Sequence, residues 1–154
     1  PDVRPVSFAT EPIPWERHLE WFNSKLRDPN AVLYLVLDNE AVPAGQVRFQ
    51  IEGAKAAISI SLAPAFRGKG YGGAVLAMAT EDLFRTTGVK KINAYVKPNN
   101  TASLRLFARA GYINERIETI NGQQAVHFVL EKVLRDEHQE GLDLSSLCSA
   151  DKSK

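Results

Sequence analysis

The segment AFRGKGYGGAV, Ala65 to Val75, places four glycines within six positions, beside Arg67 and Lys69. It lies between a run of β character, Ala57–Leu62, and a helical run from Ala74 onward. A strand, a glycine turn and a helix start form an anion-binding arrangement. The helix start offers unpaired N–H groups and partial positive charge, and missing Cβ atoms let a phosphate come close. A tight turn needs one or two glycines, so four point to a ligand that must touch backbone. Two phosphate-binding patterns compete. Gly68, Gly70 and Gly73 satisfy G-x-G-x-x-G, but Ala63–Arg67 separate the strand from the first glycine. The next strand, ending near Val96, is followed by Lys97, where a dinucleotide site wants an acidic residue. The other pattern is Arg-x-x-Gly-x-Gly: Arg67, Gly70 and Gly72, with LAP just upstream and NNTASLRLFARAGY one strand later.

The elements that must position these residues follow from periodicity. Residues 1–14 hold four prolines and read as an extended lead-in. Trp15, Leu19, Phe22 and Leu26 recur at helical spacing, which predicts a helix over 14–27 with Pro14 at its first position. AVLYLVL reads as a buried strand. GQVRFQIE alternates Val47, Phe49 and Ile51 against Gln46, Arg48 and Gln50. AISISL is a third strand, and the three are spaced for an antiparallel meander. The helix after the glycine loop holds phase to about Arg85, with Glu81 and Arg85 expected as an i,i+4 pair and Gly88 as its stop. KKINAYV is a strand, and a helix from about Thr101 carries Ser103, Leu106, Phe107 and Ala110 on one stripe and ends at Gly111. YINERIETI and QQAVHFVLEKV, joined by Asn-Gly, predict a closing hairpin with a type I′ turn. Residues 135–154 are polar and unpatterned and are expected to be a flexible tail.

Composition bounds the rest. The chain has 154 residues, room for one core, and a net charge of +1, so no global field favours nucleic acid. The single cysteine, Cys148, cannot make an internal disulfide, which suits a reducing, cytoplasmic setting. The longest apolar runs, such as Ala31–Leu37, are far too short to cross a membrane. No metal-ligand set is read.

Arg67-x-x-Gly70-x-Gly72 and the later NNTASLRLFARAGY stand in the order and spacing of the acetyl-CoA-dependent N-acetyltransferases of the GNAT superfamily. The resemblance covers about Ala31 to Val133. It implies an α/β (α+β) fold: a mixed, mostly antiparallel central sheet flanked by helices, with a parallel strand pair, near 57–62 and 91–96, splayed at its C-terminal ends. It implies one acetyltransferase domain over 1–134, lacking the family's N-terminal strand, and acetyl-CoA as cosubstrate. Backbone from Gly68 through Gly72, with Arg67, Lys69, Gly70 and Tyr71, would hold the CoA pyrophosphate. Ile60 and Leu62 would pair with the pantetheine as an added strand, and Asn100 and Ser103 would flank the pantetheine and the sulfur. More narrowly, WERHLEWF, GQVRF and AISISLAPAFRGKGYG look like acetyltransferases acting on nucleotide-linked amino sugars, as in pseudaminic acid pathways.

The chemistry of the transfer is written less plainly. Many relatives carry a tyrosine acid where this chain has Phe107, a residue read as core that faces the pantetheine channel. Tyr95 and Tyr112 are nearby in sequence without an assigned direction. Ser103 is the candidate catalytic hydroxyl, and His18 and Arg48 are the candidate acceptor contacts. The third strand shows no general base. At pH 7 a lysine-like amine costs about 4.6 kcal/mol to deprotonate, an α-amino-like group only about 1–1.4 kcal/mol. A site without an evident base therefore suits an amine of the second kind, such as a sugar amine or a protein N-terminus. The expected partner is a small-molecule amine, a nucleotide sugar, in a possible homodimer. Acetylation of protein N-termini and a catalytically inactive CoA-binding module are the alternatives.

Overall fold

The computed structural model describes residues 14–133; the expected N-terminal lead-in and polar tail lie outside the described residues. In chain order the elements are α1 (Trp15–Arg27), β1 (Ala31–Leu37), β2 (Pro43–Glu52), β3 (Lys55–Leu62), a 3-10 turn (Pro64–Phe66) and α2 (Tyr71–Thr86). β4 (Lys91–Val96), α3 (Thr101–Arg109), β5 (Ile113–Ile120) and β6 (Gln123–Glu131) complete the described chain. The six strands form one sheet in the order β1-β2-β3-β4-β6-β5. Every neighbouring pair is antiparallel except β3 and β4.

Alternation in the strands separates two faces. Val47 and Phe49 of β2, Ala56 and Ile58 of β3, Ile92, Ala94 and Val96 of β4 and Val126 and Phe128 of β6 turn to one face and are buried there. Leu76, Ala79 and Leu83 of α2 and Phe107 of α3 complete that core. Fully burying one such side chain stabilises by about 1.5–3 kcal/mol, so this face holds most of the stability. Among the described residues, the opposite face is covered over β1 and β2, by α1. There the Lys25 Nζ donates to Gln50 Oε1 at 2.7 Å, and the Arg48 guanidinium lies 4.8 Å from the Trp21 ring centroid.

β3 and β4 pair from Lys55↔Lys91 to Ile58↔Ala94, and the ladder stops there although β3 runs on to Leu62 and β4 to Val96. The expected splay of the parallel pair is therefore present. Other local expectations also hold. Asn121 and Gly122 both have positive φ, 49° and 74°, as a type I′ turn between β5 and β6 requires.

Five details differ from the sequence reading. β1, read as a buried strand, is an edge strand with no buried residue and with Leu35 and Leu37 exposed. Pro14 is the N-cap of α1 rather than its first helical residue. α2 begins at Tyr71, three residues before Ala74, because Gly70 takes a left-handed cap conformation and lets Gly72 and Gly73 enter the first turn. Arg85 pairs with Asp82, not Glu81, since Asp82 also accepts a hydrogen bond from the Tyr34 hydroxyl at 2.7 Å. α2 stops at Thr86 before reaching Gly88; the Thr87 hydroxyl bonds the Leu83 carbonyl at 2.6 Å and closes the helix end.

One polar contact inside the core ties α2 to the strand side. Tyr112, 4% exposed, shares a 3.1 Å hydrogen bond with the Thr80 hydroxyl. Thr80→Val leaves that phenol without a partner, and urea unfolding should show a loss of about 1–3 kcal/mol. An unchanged midpoint would mean that another group satisfies Tyr112.

Candidate active site

The glycine loop leaves β3 through the 3-10 turn, where Phe66 N donates to Ala63 O at 2.9 Å and Arg67 N to Pro64 O at 3.2 Å. Gly68 and Gly70 then take φ of +70° and +85°, a conformation that side chains resist. A Cβ added at either would meet no atom within 4 Å, so the space above both is open. The backbone N–H groups from Gly68 to Gly73 donate to no acceptor among the described residues. Open space, free donors and a helix start fit a pyrophosphate. Gly72 has a second role: a Cβ there would stand 3.3 Å from Leu106 Cδ1 and 3.7 Å from Leu62 Cδ1, so its bare backbone lets α2 approach α3 and β3. Arg67 does more than add charge. Its Nε donates to the Leu62 carbonyl at 2.8 Å and fastens the loop to the end of β3. Lys69 and Tyr71 are exposed beside it, the Tyr71 ring 6.2 Å from that of Phe66.

The strand edge comes from the same alternation. Ala63 N donates to Ala44 O at 2.8 Å, toward β2. Leu62 and Ile60, one and three residues earlier, therefore turn their backbone groups the other way, into the opening that β4 has left. On the far side of the opening Asn100 caps α3, its Oδ1 accepting from Ser103 N at 3.1 Å. Ser103 is half-buried in the first turn of that helix. The structure thus gathers the loop, the β3 edge and the start of α3 around one cleft.

His18 and Arg48 belong to the other face. His18 is exposed on α1, its ring 5.8 Å from those of Trp15 and Trp21. Arg48 is half-buried on β2. Burial draws its pKa below the ordinary arginine value, yet a guanidinium keeps its charge at any physiological pH. Its register partner on β3 is Ser59.

Of the candidate proton donors, Phe107 and Tyr112 are both core. Phe107, 4% exposed, sits 5.0 Å from the Tyr112 ring and 6.1 Å from that of Phe128, so the expectation that it faces the pantetheine channel is corrected. Burial holds the Tyr112 phenol up at about 12. Tyr95 turns instead to the open face, stacked on His127 at 4.7 Å. His127 is 3% exposed, with Nε2 2.9 Å from Asn93 Oδ1 and Nδ1 3.1 Å from a Glu118 carboxylate oxygen. Sequence reasoning passed over His127. A lone histidine in the apolar run AVHFV carries no local signal, because its partners come from two neighbouring strands.

Two substitutions test this arrangement. Gly70→Val forces a β-branched residue to positive φ, costing about 1–2 kcal/mol, and should abolish CoA binding in titration calorimetry. Gly53→Val, also at positive φ (+59°) with open space above it but far along the chain, is the control and should bind normally. Equal CoA affinity in both variants would remove the loop from the phosphate site. Phe107→Tyr places a hydroxyl among core rings, and chemical denaturation should show a loss of about 1–3 kcal/mol.

Comparison with known proteins places the fold. It is similar to spermidine N-acetyltransferase from Vibrio cholerae in complex with CoA and spermine, with a TM-score of 0.76 and 21% identity over 84% of this chain and 82% of that one. It is similar to an aminoglycoside acetyltransferase in complex with coenzyme A, with a TM-score of 0.72 and 20% identity over 85% and 83%. A dodecameric structure of the V. cholerae enzyme gives a TM-score of 0.69 at 23% identity, over 84% and 82%. No curated protein sequence matches the chain. The model of the acetyltransferase (GNAT) domain matches residues 1–113, most of the chain. With that match the anion loop, open strand edge and splayed pair have one common explanation: the chain belongs to the GNAT acetyltransferase family and is an acetyl-CoA-dependent N-acetyltransferase.

Proposed function

We propose that the acceptor is a primary amine on an anionic carrier, of the nucleotide-linked amino-sugar class. Acetyl-CoA lies with its pyrophosphate over Gly68 and Gly70 and its pantetheine along Ile60 and Leu62. The acceptor approaches from the opposite side, over the face that α1 borders. The amine nitrogen attacks the thioester carbonyl carbon, the C–S bond breaks, and one proton passes overall from nitrogen to sulfur. Ser103, at the first turn of α3, supplies the hydroxyl beside the departing sulfur. A CoA thiolate, with a thiol pKa near 8.5, asks little of that donor.

One observation carries the acceptor class. Arg48 is half-buried on the acceptor face, braced against Trp21, and forms no hydrogen bond or ion pair with any described residue. Its neighbours on the strand are Gln46 and Gln50, and the nearby Asp28 is engaged by Gln50 and Lys25. At about 5 Å and an effective dielectric near 20, a fixed guanidinium attracts a phosphate and repels an ammonium by about 3 kcal/mol each. Spermidine and aminoglycosides, the substrates in the names of the similar structures, are polycations, and this charge disfavours them. A sugar amine also matches a site in which no base stands out.

Thiol release from acetyl-CoA should be measured against UDP-linked amino sugars, spermidine, an aminoglycoside and N-terminal peptides. Turnover should be greatest with the anionic sugars. Arg48→Gln should raise their KM at least tenfold, about 1.4 kcal/mol, without altering CoA affinity. Preferred turnover of spermidine by the unaltered protein would overturn the reading.

A further inference from the structure

One row of side chains crosses the sheet at the level where the parallel pair opens. Arg48 is paired with Ser59, Tyr95 with His127, and His127 with Arg116. Ala57 and Asn93 are the last register partners on that face of β3 and β4; two residues on, Ser59 and Tyr95 stand on either lip of the opening with no ladder between them. Both belong to the face opposite α2 and α3, because Ile58, Ile60, Ala94 and Val96 take the core side. The Tyr95 ring is fixed from behind. It stacks within 13° of parallel on His127, whose Nε2 is hydrogen-bonded to Asn93 Oδ1 and whose Nδ1 lies 3.1 Å from a Glu118 carboxylate oxygen without a hydrogen bond among the described residues. The Tyr95 hydroxyl has no hydrogen-bond partner among the described residues and borders a groove of about 460 Å³ lined by Gln50, Lys55, Asn93 and Arg116.

We propose that Tyr95 is a catalytic residue of the acceptor side: its hydroxyl meets the acetyl carbonyl and the incoming amine where the strands part, and His127 is the positioning residue that holds its ring. Several features point there. A buried imidazole with one ring partner, one hydrogen-bond partner and an unbonded Nδ1 is an expensive support for a side chain with nothing to do. The phenol it supports is the one tyrosine of β4, on the first position past the last pair. Two other tyrosines, Tyr34 and Tyr112, spend their hydroxyls on Asp82 and Thr80 inside the fold, whereas that of Tyr95 is unpartnered among the described residues. Burial and Glu118 raise the Tyr95 pKa, so the group reaches the substrate as a neutral phenol able to donate a hydrogen bond. This proposal rests on the placement of acetyl-CoA in the cleft and not on the identity of the acceptor.

Affinity labelling tests it without an acceptor. Bromoacetyl-CoA carries its reactive carbon where the acetyl group sits, and a thiolate there displaces bromide to form a thioether. Tyr95→Cys incubated with bromoacetyl-CoA should gain one carboxymethyl-thioester adduct at residue 95, at least tenfold faster than Cys148 and in a manner blocked by excess CoA. Lys55→Cys, at the far end of the groove, should react no faster than Cys148. Tyr95→His keeps a planar ring on His127, and its imidazole should also be alkylated, which serves if the cysteine variant does not fold. Bound reagent, measured by calorimetry, that leaves residue 95 unmodified in both variants would overturn the proposal. Binding unaffected by Gly70→Val would instead strike the CoA placement, so the two failures are separable. For the support, His127→Phe should retain kcat for whichever UDP-linked amino sugar is turned over, and His127→Ala should lose at least tenfold in kcat with KM for acetyl-CoA unchanged. If no such sugar is turned over, spermidine is the probe. Equal kcat in the two variants would remove His127 from the positioning role.

Discussion

Four register pairs join β3 to β4, and the ladder then ends. Everything at the site depends on that termination. Had pairing continued to Leu62, the backbone groups of Ile60 and Leu62 would be spent on β4 and no ligand could add itself as a strand. Had it stopped earlier, the two halves of the sheet would share too little to hold together. The core explains where the line falls. Ile58 and Ala94 are the last facing pair, both buried among α2 and α3 residues. Beyond them Gly72, in the first turn of α2, lies close against Leu106 of α3 and Leu62 at the end of β3.

The loop then lays free backbone donors along this opening. Arg67 binds the last carbonyl of β3, Gly70 reverses the backbone, and α2 starts at once. The donors of the first turn are left pointing at the space that the diverging strands have made. Charge is placed on both sides of the sheet. Lys69 is exposed on the glycine loop, and Arg48 is half-buried on the face that α1 borders.

Much of this was legible in the residues. Alternation in GQVRFQIE told the two faces of that strand apart, and Asn-Gly located the closing turn. The glycine spacing located the loop, where Gly68 and Gly70 stand at positive φ. What stayed hidden was cross-strand. Tyr95 had no visible direction in the sequence, since a strand of six residues reveals its faces only once the core side is known. His127 looked like an oddity in an apolar run, because Asn93 and Glu118 reach it from strands on either side. Phe107 was rightly read as core, but its supposed exposure to the channel failed: Tyr112 and Phe128 close around it, a packing that helical spacing does not encode. Helix ends also misled. The Arg85 partner was set by Tyr34 orienting Asp82, a tertiary contact outranking an intrahelical one of a few tenths of a kcal/mol.

The same seam has a kinetic meaning. β1, β2 and β3 are joined by short turns, as are β5 and β6, so the meander and the closing hairpin can zip from local contacts, while β4 joins β6 across α3 and β5. The parallel ladder between β3 and β4 must instead wait for α2 to span it, and it carries the loop-closure cost of the whole crossover. The glycine loop and the open edge of β3 sit on that join. A chain that has folded both halves but not docked them has hairpins and helices and still lacks that arrangement of loop and edge. A cosubstrate that binds the docked chain and not the undocked one shifts the equilibrium toward docking.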